Sequence, residues 1–315
     1  MLTKRQEAEL VTAVQGRGEI PLKFAYIGDG AKNWDTIAKE RSVTSGGINS
    51  TEASLLKRRL NDFVSTLKSD KGINIVDIGC GNGVPAIPVL QYLSERGIPF
   101  AYVPMDISQE MLDLAIVTIK TRFPNVICKP FQMDFELGQF SDVMYEIKKD
   151  GSANLMLFLG STLGNHSDLS RVLTNFRDSM TSKDYLIVGV ELTNLAKINK
   201  IIPHYEGLQI NMFVGHTLRY LHISEGVFTC GVSWNDKLSQ IEMRANFTGD
   251  IRAEIGGDSF LIEKGESILL ARSIKFTEYT VTKLFSDVGF RTELLTTSED
   301  RGYILTMVQP TRYSI

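Results

Sequence analysis

The chain has 315 residues, 43% of them hydrophobic, which suffices for one large or two moderate domains with their own cores. Its formal net charge of −3 offers no overall attraction to nucleic acid or to an anionic membrane, and no apolar run approaches the roughly 20 residues of a membrane-spanning helix. The cysteines and histidines show neither disulfide nor metal-site spacing. We therefore expect a cytoplasmic protein without metal, nucleic-acid or membrane partners. The sequence leaves its oligomeric state open.

The N-terminal part is expected to be irregular at first and then helical. Residues 24–47 are rich in glycine and lack a clear periodicity, so this segment could form a lid. Asn49 followed three residues later by Glu52 matches a capping box and predicts the start of a helix. The apolar residues of that helix recur at helical spacing and are Leu55, Leu56, Leu60, Phe63, Val64 and Leu67.

Strands and helices alternate from residue 72 to residue 192, which predicts a doubly wound, mostly parallel α/β sheet. One connecting helix is expected at residues 85–95, and Ser108 is expected to cap the next. Ligands of such sheets bind at the carboxyl ends of the central strands. The expected strands are residues 73–78, 100–105, 126–133, 154–159 and 185–191.

The pattern changes after Leu192. Apolar and polar residues alternate at 228–234 and 241–247, and again at 259–262 and 267–272, which predicts antiparallel strands. We therefore expect residues 193–273 to form an inserted, mainly antiparallel β domain. A helix beginning near residue 280 and strands at 291–296 and 303–308 then complete the first domain.

The strongest functional signal is the turn after the first strand, in the run Val76–Gly83. Gly79, Gly81 and Gly83 allow a sharp turn and a close approach to a ligand at the start of a helix. The dinucleotide fingerprint fails because Val84 stands where its third glycine is needed, and no phosphate-binding lysine follows. A three-glycine turn can also be purely structural.

Carboxylates end three successive strands around this turn. Asp77 is suited to a ligand's cationic amino group and badly placed for a pyrophosphate. Asp106 is suited to a ribose diol, and Asp134 to an adenine amino group while the N–H of Phe135 reads a ring nitrogen. Taken singly, Asp106 could be a helix cap and Asp134 a turn residue. Together they favour a ligand with a ribose, an adenine and a positive charge but no phosphate, which is S-adenosylmethionine.

These motifs carry a family resemblance. The runs at 76–83, 104–108 and 134–136 resemble those of class I methyltransferases. The block Leu157–Asn165 closely resembles that of the histidine Nα-methyltransferases of ergothioneine biosynthesis, a family with relatives that act on other amino acids. The resemblance extends to residues 23–31, 34–35 and 265–276, and so covers most of the chain.

The resemblance implies a Rossmann-like methyltransferase sheet with an antiparallel C-terminal strand. Residues 1–192 and 274–315 would form the methyltransferase domain with an N-terminal helical lid, and residues 193–273 a substrate-binding domain. The expected cofactor is S-adenosylmethionine. Its expected contacts are Asp77, Gly79, Gly81, Gly83, Asp106, Ile107, Asp134, Phe135 and Gly160.

Asn165 and Tyr205 are the predicted catalytic residues. A side-chain amide can accept from an amine and donate to a carboxylate, so Asn165 could orient an amino group, although it could also cap the next helix. By the resemblance, Tyr205 contacts the substrate carboxylate and Ser273 lies near the substrate side chain. Tyr26 and Trp34 match aromatic positions of the N-terminal lid.

The chain departs from the histidine-specific members at two places. They carry a glutamate two residues before the serine, where this chain has Ala271, and a tyrosine in the segment where this chain has residues 42–47. Because alanine cannot pair with an imidazole N–H, we expect an amino acid or related small amine with a less polar side chain. An O- or C-methyltransferase of a small metabolite, or a non-catalytic cofactor-binding homologue, remains an alternative.

Overall fold

The computed structural model describes residues 2–43, 48–67, 69, 71–148, 152–193 and 198–311. In that part of the chain the helices are α1 (Lys4–Arg17), α2 (Asp29–Val43), α3 (Ile48–Thr66), α4 (Ile87–Glu95), α5 (Gln109–Arg122), α6 (Ser141–Ile147), α7 (Leu169–Ser179), α8 (Ile198–Ile201), α9 (Leu208–Gly215) and α10 (Glu278–Asp287). The strands are β1 (Ile73–Ile78), β2 (Phe100–Asp106), β3 (Ile127–Cys128), β4 (Phe131–Gln132), β5 (Ala153–Phe158), β6 (Tyr185–Glu191), β7 (Phe228–Asn235), β8 (Gln240–Phe247), β9 (Ile251–Ile255), β10 (Asp258–Ile262), β11 (Ser267–Ile274), β12 (Phe290–Thr297) and β13 (Tyr303–Pro310).

The chain forms two compact units. One, called here the β unit, comprises residues 1–37, 165–167 and 194–275. The other, called the sheet unit, comprises residues 38–164, 168–193 and 276–315.

The sheet unit is built on an eight-stranded sheet. The strand order is β12-β13-β6-β5-β1-β2-β3. The short strand β4 also pairs with β2, closer to the carboxyl end of β2 than β3 does. The strands β1, β2, β5 and β6 are parallel, whereas β13 is antiparallel to both β6 and β12. The order reverses between β1 and β5, which is where doubly wound sheets bind ligands. The predicted fold class is thereby confirmed.

The core explains why these segments form central strands. Every residue of β1 and β5 is buried, as is typical of parallel strands covered on both faces. On one face Leu155 and Leu157 pack with the apolar side chains of α3, α4 and α5. On the other face Phe158 and Phe176 pack edge to face, with ring centroids 5.0 Å apart.

The β unit contains the three-stranded antiparallel sheet β7-β8-β11 and the hairpin β9-β10. Residues 1–37 belong to this unit, although the sequence assigned them to the methyltransferase domain. The reason is a set of contacts between residues that are far apart in the chain. Leu10 and Phe24 are fully buried in one core with Leu270, and Ile20 N–H donates to the carbonyl of Leu269 at 2.8 Å.

Some expectations about local structure were wrong. The segment expected to be irregular contains a 3₁₀ turn at Leu22–Tyr26 and then α2, because Ala31, Trp34 and Ile37 recur at helical spacing. Residues 44–47 lie outside the described part of the chain. The expected third strand is split into β3 and β4 by Pro130, which cannot donate to a sheet. Among the helices described, none is long and apolar enough to cross a membrane.

Candidate active site

Asp77 lies near the carboxyl end of β1, between Pro104 of β2 and Leu157 of β5. Its side chain is 2% exposed, and the hydroxyl of Tyr102 donates to it at 2.7 Å. Burial raises the pKa of this carboxyl to about 8, against the lowering effect of the Tyr102 hydrogen bond, and the charge of Asp106 adds to the rise. In the free protein the protonated form of this carboxyl is therefore favoured at neutral pH, and a nearby positive charge would favour the ionised form.

The glycine turn follows directly. Gly79, Gly81 and Gly83 all have positive φ, at 61°, 52° and 76°, which side-chain-bearing residues adopt only with strain. The N–H of Gly79 donates to the carbonyl of Met105 at 2.8 Å, and the N–H of Gly81 donates to Asp106 at 3.1 Å. Because these donors bind the end of β2, they are not directed at a phosphate. The turn instead joins the ends of β1 and β2.

Asp106 ends β2 and is 6% exposed. Its two carboxylate oxygens accept from the N–H groups of Gly81 and Ser108, at 3.1 and 3.0 Å. Burial raises its pKa to about 6, although these N–H groups and that of Ile107 favour the ionised form. The hydroxyl of Ser108 caps α5, as predicted, so Asp106 is not the cap of that helix. Ile107 is half-buried beside it.

Asp134 and Phe135 follow β4. Asp134 is half-buried and accepts from the N–H of Glu136 at 3.0 Å, so it does stabilise a turn. The ring of Phe135 packs edge to face on Phe158, with centroids 5.6 Å apart. A Cβ atom added to Gly79 would lie 3.7 Å from that ring. The side chain of Phe135 thus lies next to the glycine turn, and its backbone N–H is the group that is predicted to contact the adenine.

Glu52 is a member of this site that the sequence assigned wrongly. In the structure α3 begins at Ile48, so the backbone of Asn49 lies within the helix and not at its N-cap position. Glu52 is instead buried, and its carboxylate accepts from the N–H of Gly160 at 2.9 Å and from the hydroxyl of Tyr303. A signal was present, because Glu52 lies at helical spacing from Leu55 and Leu56 and therefore on the apolar face.

Asn165 lies at the end of a 3₁₀ turn, Thr162–Asn165, and is half-buried. The N-cap of α7 is Asp168, whose carboxylate accepts from the N–H of Arg171 at 2.9 Å. Asp168, and not Asn165, therefore caps this helix.

Tyr205 and Ser273 are brought together in the β unit, with their hydroxyl oxygens 3.0 Å apart. Lys275, which is 3% exposed, donates to Tyr205 at 2.7 Å and to Ser273 at 2.9 Å. The sequence assigned no role to Lys275, since its contacts depend on Tyr205, 70 residues earlier in the chain. An ammonium that donates to both hydroxyls polarises them, so the cluster is suited to an anionic group.

Tyr26 and Trp34 also lie in the β unit, in an aromatic cluster with Phe213. The ring centroids are 5.5 Å apart for Tyr26 and Trp34, and 5.2 Å for Tyr26 and Phe213. Both rings are only partly buried. The cluster includes Phe213 of α9. Its rings could either belong to the core of the β unit or contact a ligand.

Ala271 and Ser273 lie two residues apart on β11 and therefore on the same face of that strand. Ala271 is buried in the core that contains Met243 and Ala245. Ala271 itself has no polar side-chain atom that could pair with an imidazole N–H. The second departure, the missing tyrosine, falls largely on residues 44–47, outside the described part.

Comparison with known proteins agrees with these observations. Residues 6–310 match the model of a family described as histidine-specific, S-adenosylmethionine-dependent methyltransferases. The chain is 23% identical over 268 residues to the N-methyltransferase imqF of Aspergillus flavus, covering 80% of this chain and 71% of the relative. It is 22% identical over 249 residues to the N-methyltransferase fsqC of Aspergillus fumigatus, covering 76% and 66%.

Two further matches are more limited. Ergothioneine biosynthesis protein 1 of Neurospora crassa is 26% identical over 152 residues, which cover 47% of this chain and 16% of that protein. The solved structure of the CurJ carbon methyltransferase has a TM-score of 0.51 at 12% identity, covering 98% of this chain and 66% of that one. At that identity the likeness concerns the fold alone.

These findings confirm the predicted family, the cofactor and the reaction class. The chain belongs to the family of histidine-specific, S-adenosylmethionine-dependent methyltransferases and is an S-adenosylmethionine-dependent N-methyltransferase.

Proposed function

We propose that this enzyme methylates the amino nitrogen of an amino acid, or of a closely related small amine, whose side chain is not an imidazole. The observation that carries the proposal is the cluster of Tyr205, Ser273 and buried Lys275, with Ala271 on the same strand face as Ser273. The N-methyltransferases among the relatives support nitrogen as the acceptor atom.

The sheet unit fits the donor. S-adenosylmethionine, when bound, supplies a methyl group on a positively charged sulfur. Asp77 and Asp106 are buried carboxyls that a nearby positive charge would hold ionised. The N–H groups of Gly79 and Gly81 donate to the end of β2, so they are not directed at a phosphate. We assign Asp106 to the ribose hydroxyls, Asp134 and the N–H of Phe135 to the adenine, and Asp77 to the amino group of the donor.

Tyr205, Ser273 and Lys275 support an acceptor with a carboxylate. Lysine has no acceptor atom, so its ammonium must donate to both hydroxyl oxygens. Hydrogen bonds that involve an ionised group are roughly twice as strong as neutral ones. Because one of the two hydroxyls donates to the other, this polarisation favours donation to an anion by the second one. A carboxylate-bearing amine fits this environment better than a simple amine does.

The amino group must be in its neutral, deprotonated form when it reacts with the methyl group, because only the neutral amine has a free lone pair. We assign Asn165 to orient this nitrogen, since its amide oxygen can accept from an amine N–H. Tyr205 is the proposed route for the proton, directly or through a water. Correct orientation before reaction accounts for a large part of the rate in such displacements.

The pH dependence of donor binding tests the electrostatic part of this account. Asp77 and Asp106 have pKa values of about 8 and about 6 in the free protein, so both carboxyls are protonated at low pH. A cationic donor favours their ionised forms and must displace these protons. The affinity for S-adenosylmethionine should therefore rise by about tenfold or more as the pH increases from about 5.5, until the donor's own amino group begins to lose its proton.

Calorimetry in two buffers of different ionisation enthalpy measures the protons released on binding. The stability of the free protein should fall over the same pH range, because folded carboxyls with raised pKa hold protons that the unfolded chain has already lost. Asp106→Asn should remove the step near the lower pKa and move the upper step to somewhat lower pH, because the charge of Asp106 contributes to the raised pKa of Asp77. An affinity that is independent of pH would contradict the assignment of these carboxyls.

Asn165→Ala tests the proposed orientation of the amine. The change should lower kcat by about 100-fold or more, with the affinity for S-adenosylmethionine nearly unchanged. Asp168→Ala is the matched control, because it removes the cap of α7 at a cost of about 1 kcal/mol and leaves Asn165 in place. If the two variants lose activity equally, Asn165 has only a structural role.

The acceptor is tested by incubation with methyl-labelled S-adenosylmethionine and a panel of amino acids and their decarboxylated amines. NMR of the products locates the methyl group. We expect N-methylation of an amino acid with an apolar side chain, and little reaction of histidine or of the decarboxylated amines. Ala271→Glu should shift the preference toward histidine, whereas Ala271→Gln should do so less. A methyl group on oxygen or carbon would refute the proposal.

A further inference from the structure

Glu52 is held in a site built for a buried carboxylate. The residue is 2% exposed, and one oxygen, Oε2, accepts from both the N–H of Gly160 and the hydroxyl of Tyr303. Gly189 on β6 leaves the room, since a Cβ atom there would lie closer to Glu52 and Tyr303 than real Cβ atoms come to any neighbour. Three separate parts of the sheet unit thus converge on this one side chain.

Glu52 fixes the turn that follows β5. Gly160 and Ser161 both have positive φ, at 72° and 59°, which is a sparsely populated conformation for serine. The hydrogen bond from Gly160 N–H to Glu52 holds this turn in place. The turn begins the Gly160–Asn165 block, and Gly160 is a proposed contact of the methyl donor.

The groups around Glu52 are acidic. The charge of Glu52 contributes to the raised pKa of Asp77 on β1, and so does the charge of Asp106 on β2. Tyr303 on β13, which donates to Glu52, lies next to Glu191 of β6. Burial raises the pKa of Glu52 to about 7, while the hydrogen bonds from Tyr303 and Gly160 favour its ionised form. A cation bound at these strand ends would hold Glu52 ionised.

We propose that Glu52 is a positioning residue of the donor site whose negative charge favours S-adenosylmethionine, with its charged sulfur, over the product S-adenosylhomocysteine, whose sulfur is neutral. This inference rests on the proposed placement of the donor beside Gly160. The attraction is present before methyl transfer and weakens after it, because the transferred methyl group leaves the sulfur with its electron pair and no charge. Glu52 thereby promotes release of the product.

Glu52→Gln removes the charge and keeps an oxygen that can accept from Gly160 N–H. Calorimetry at about pH 8 should show the affinity for S-adenosylmethionine falling about tenfold, and that for S-adenosylhomocysteine by less than about twofold. An equal loss for both ligands would mean that Glu52 only supports the turn. No loss for either would overturn the proposal entirely.

Tyr303→Phe provides a second test that keeps the carboxylate. It removes a donor to Glu52, so the pKa of Glu52 should rise further and its charge should be lost near neutral pH. The preference for S-adenosylmethionine should then shrink at about pH 7 and return at about pH 9. A preference that does not change with pH in this variant would contradict the role of the charge.

Thermal unfolding of both variants checks that they are folded. These binding measurements need no acceptor, so their failure would leave the proposed amino-acid substrate untouched. Conversely, a different acceptor would not alter the expected preference between the two ligands.

Discussion

Burial of carboxyl groups at the carboxyl ends of the central strands is the constraint on which the rest of the site depends. Asp77, Asp106 and Glu52 are each at most 6% exposed, and burial raises the pKa of all three. Removing carboxylates from water is expensive unless hydrogen bonds or opposite charges compensate. Here hydrogen bonds compensate in part, and the proposed binding of a cationic donor would supply the remainder. Under that proposal, the free protein already holds the carboxyls that recognise the donor's positive charge.

The topology of the sheet unit produces this arrangement. The strand order reverses between β1 and β5, and the chain segments after β1, β2 and β5 meet at that edge. N–H groups of the glycine turn donate to the end of β2, and this brings Asp106 to the turn. These donors are therefore not directed at a phosphate. Helix α3 precedes the sheet in the chain, yet it supplies Glu52 to the same edge. One end of the sheet thus combines residues from four separate parts of the sequence.

Local signals were sufficient for the fold and for the carboxylates at strand ends. The alternation of apolar runs and helices predicted the parallel strands, and Asp77 and Asp106 followed because each is one of the last two residues of a strand. Glu52 was misassigned because Asn49 lies three residues before it, and a capping box is a local pattern that ignores burial. Lys275 and the grouping of residues 1–37 depend on contacts with distant parts of the chain, such as Tyr205 and Leu269. No pattern of neighbouring residues encodes such contacts.

The pKa of Asp77 is the quantity that tests the central claim most directly. Carbon-13 NMR of aspartate-labelled protein, with the signal assigned by Asp77→Asn, follows the titration of this carboxyl. Without a donor the account predicts a midpoint near pH 8, and with S-adenosylmethionine bound it predicts a midpoint displaced to clearly lower pH. A midpoint near the ordinary value of about 4 in the free protein would contradict it, as would a midpoint that the donor does not change.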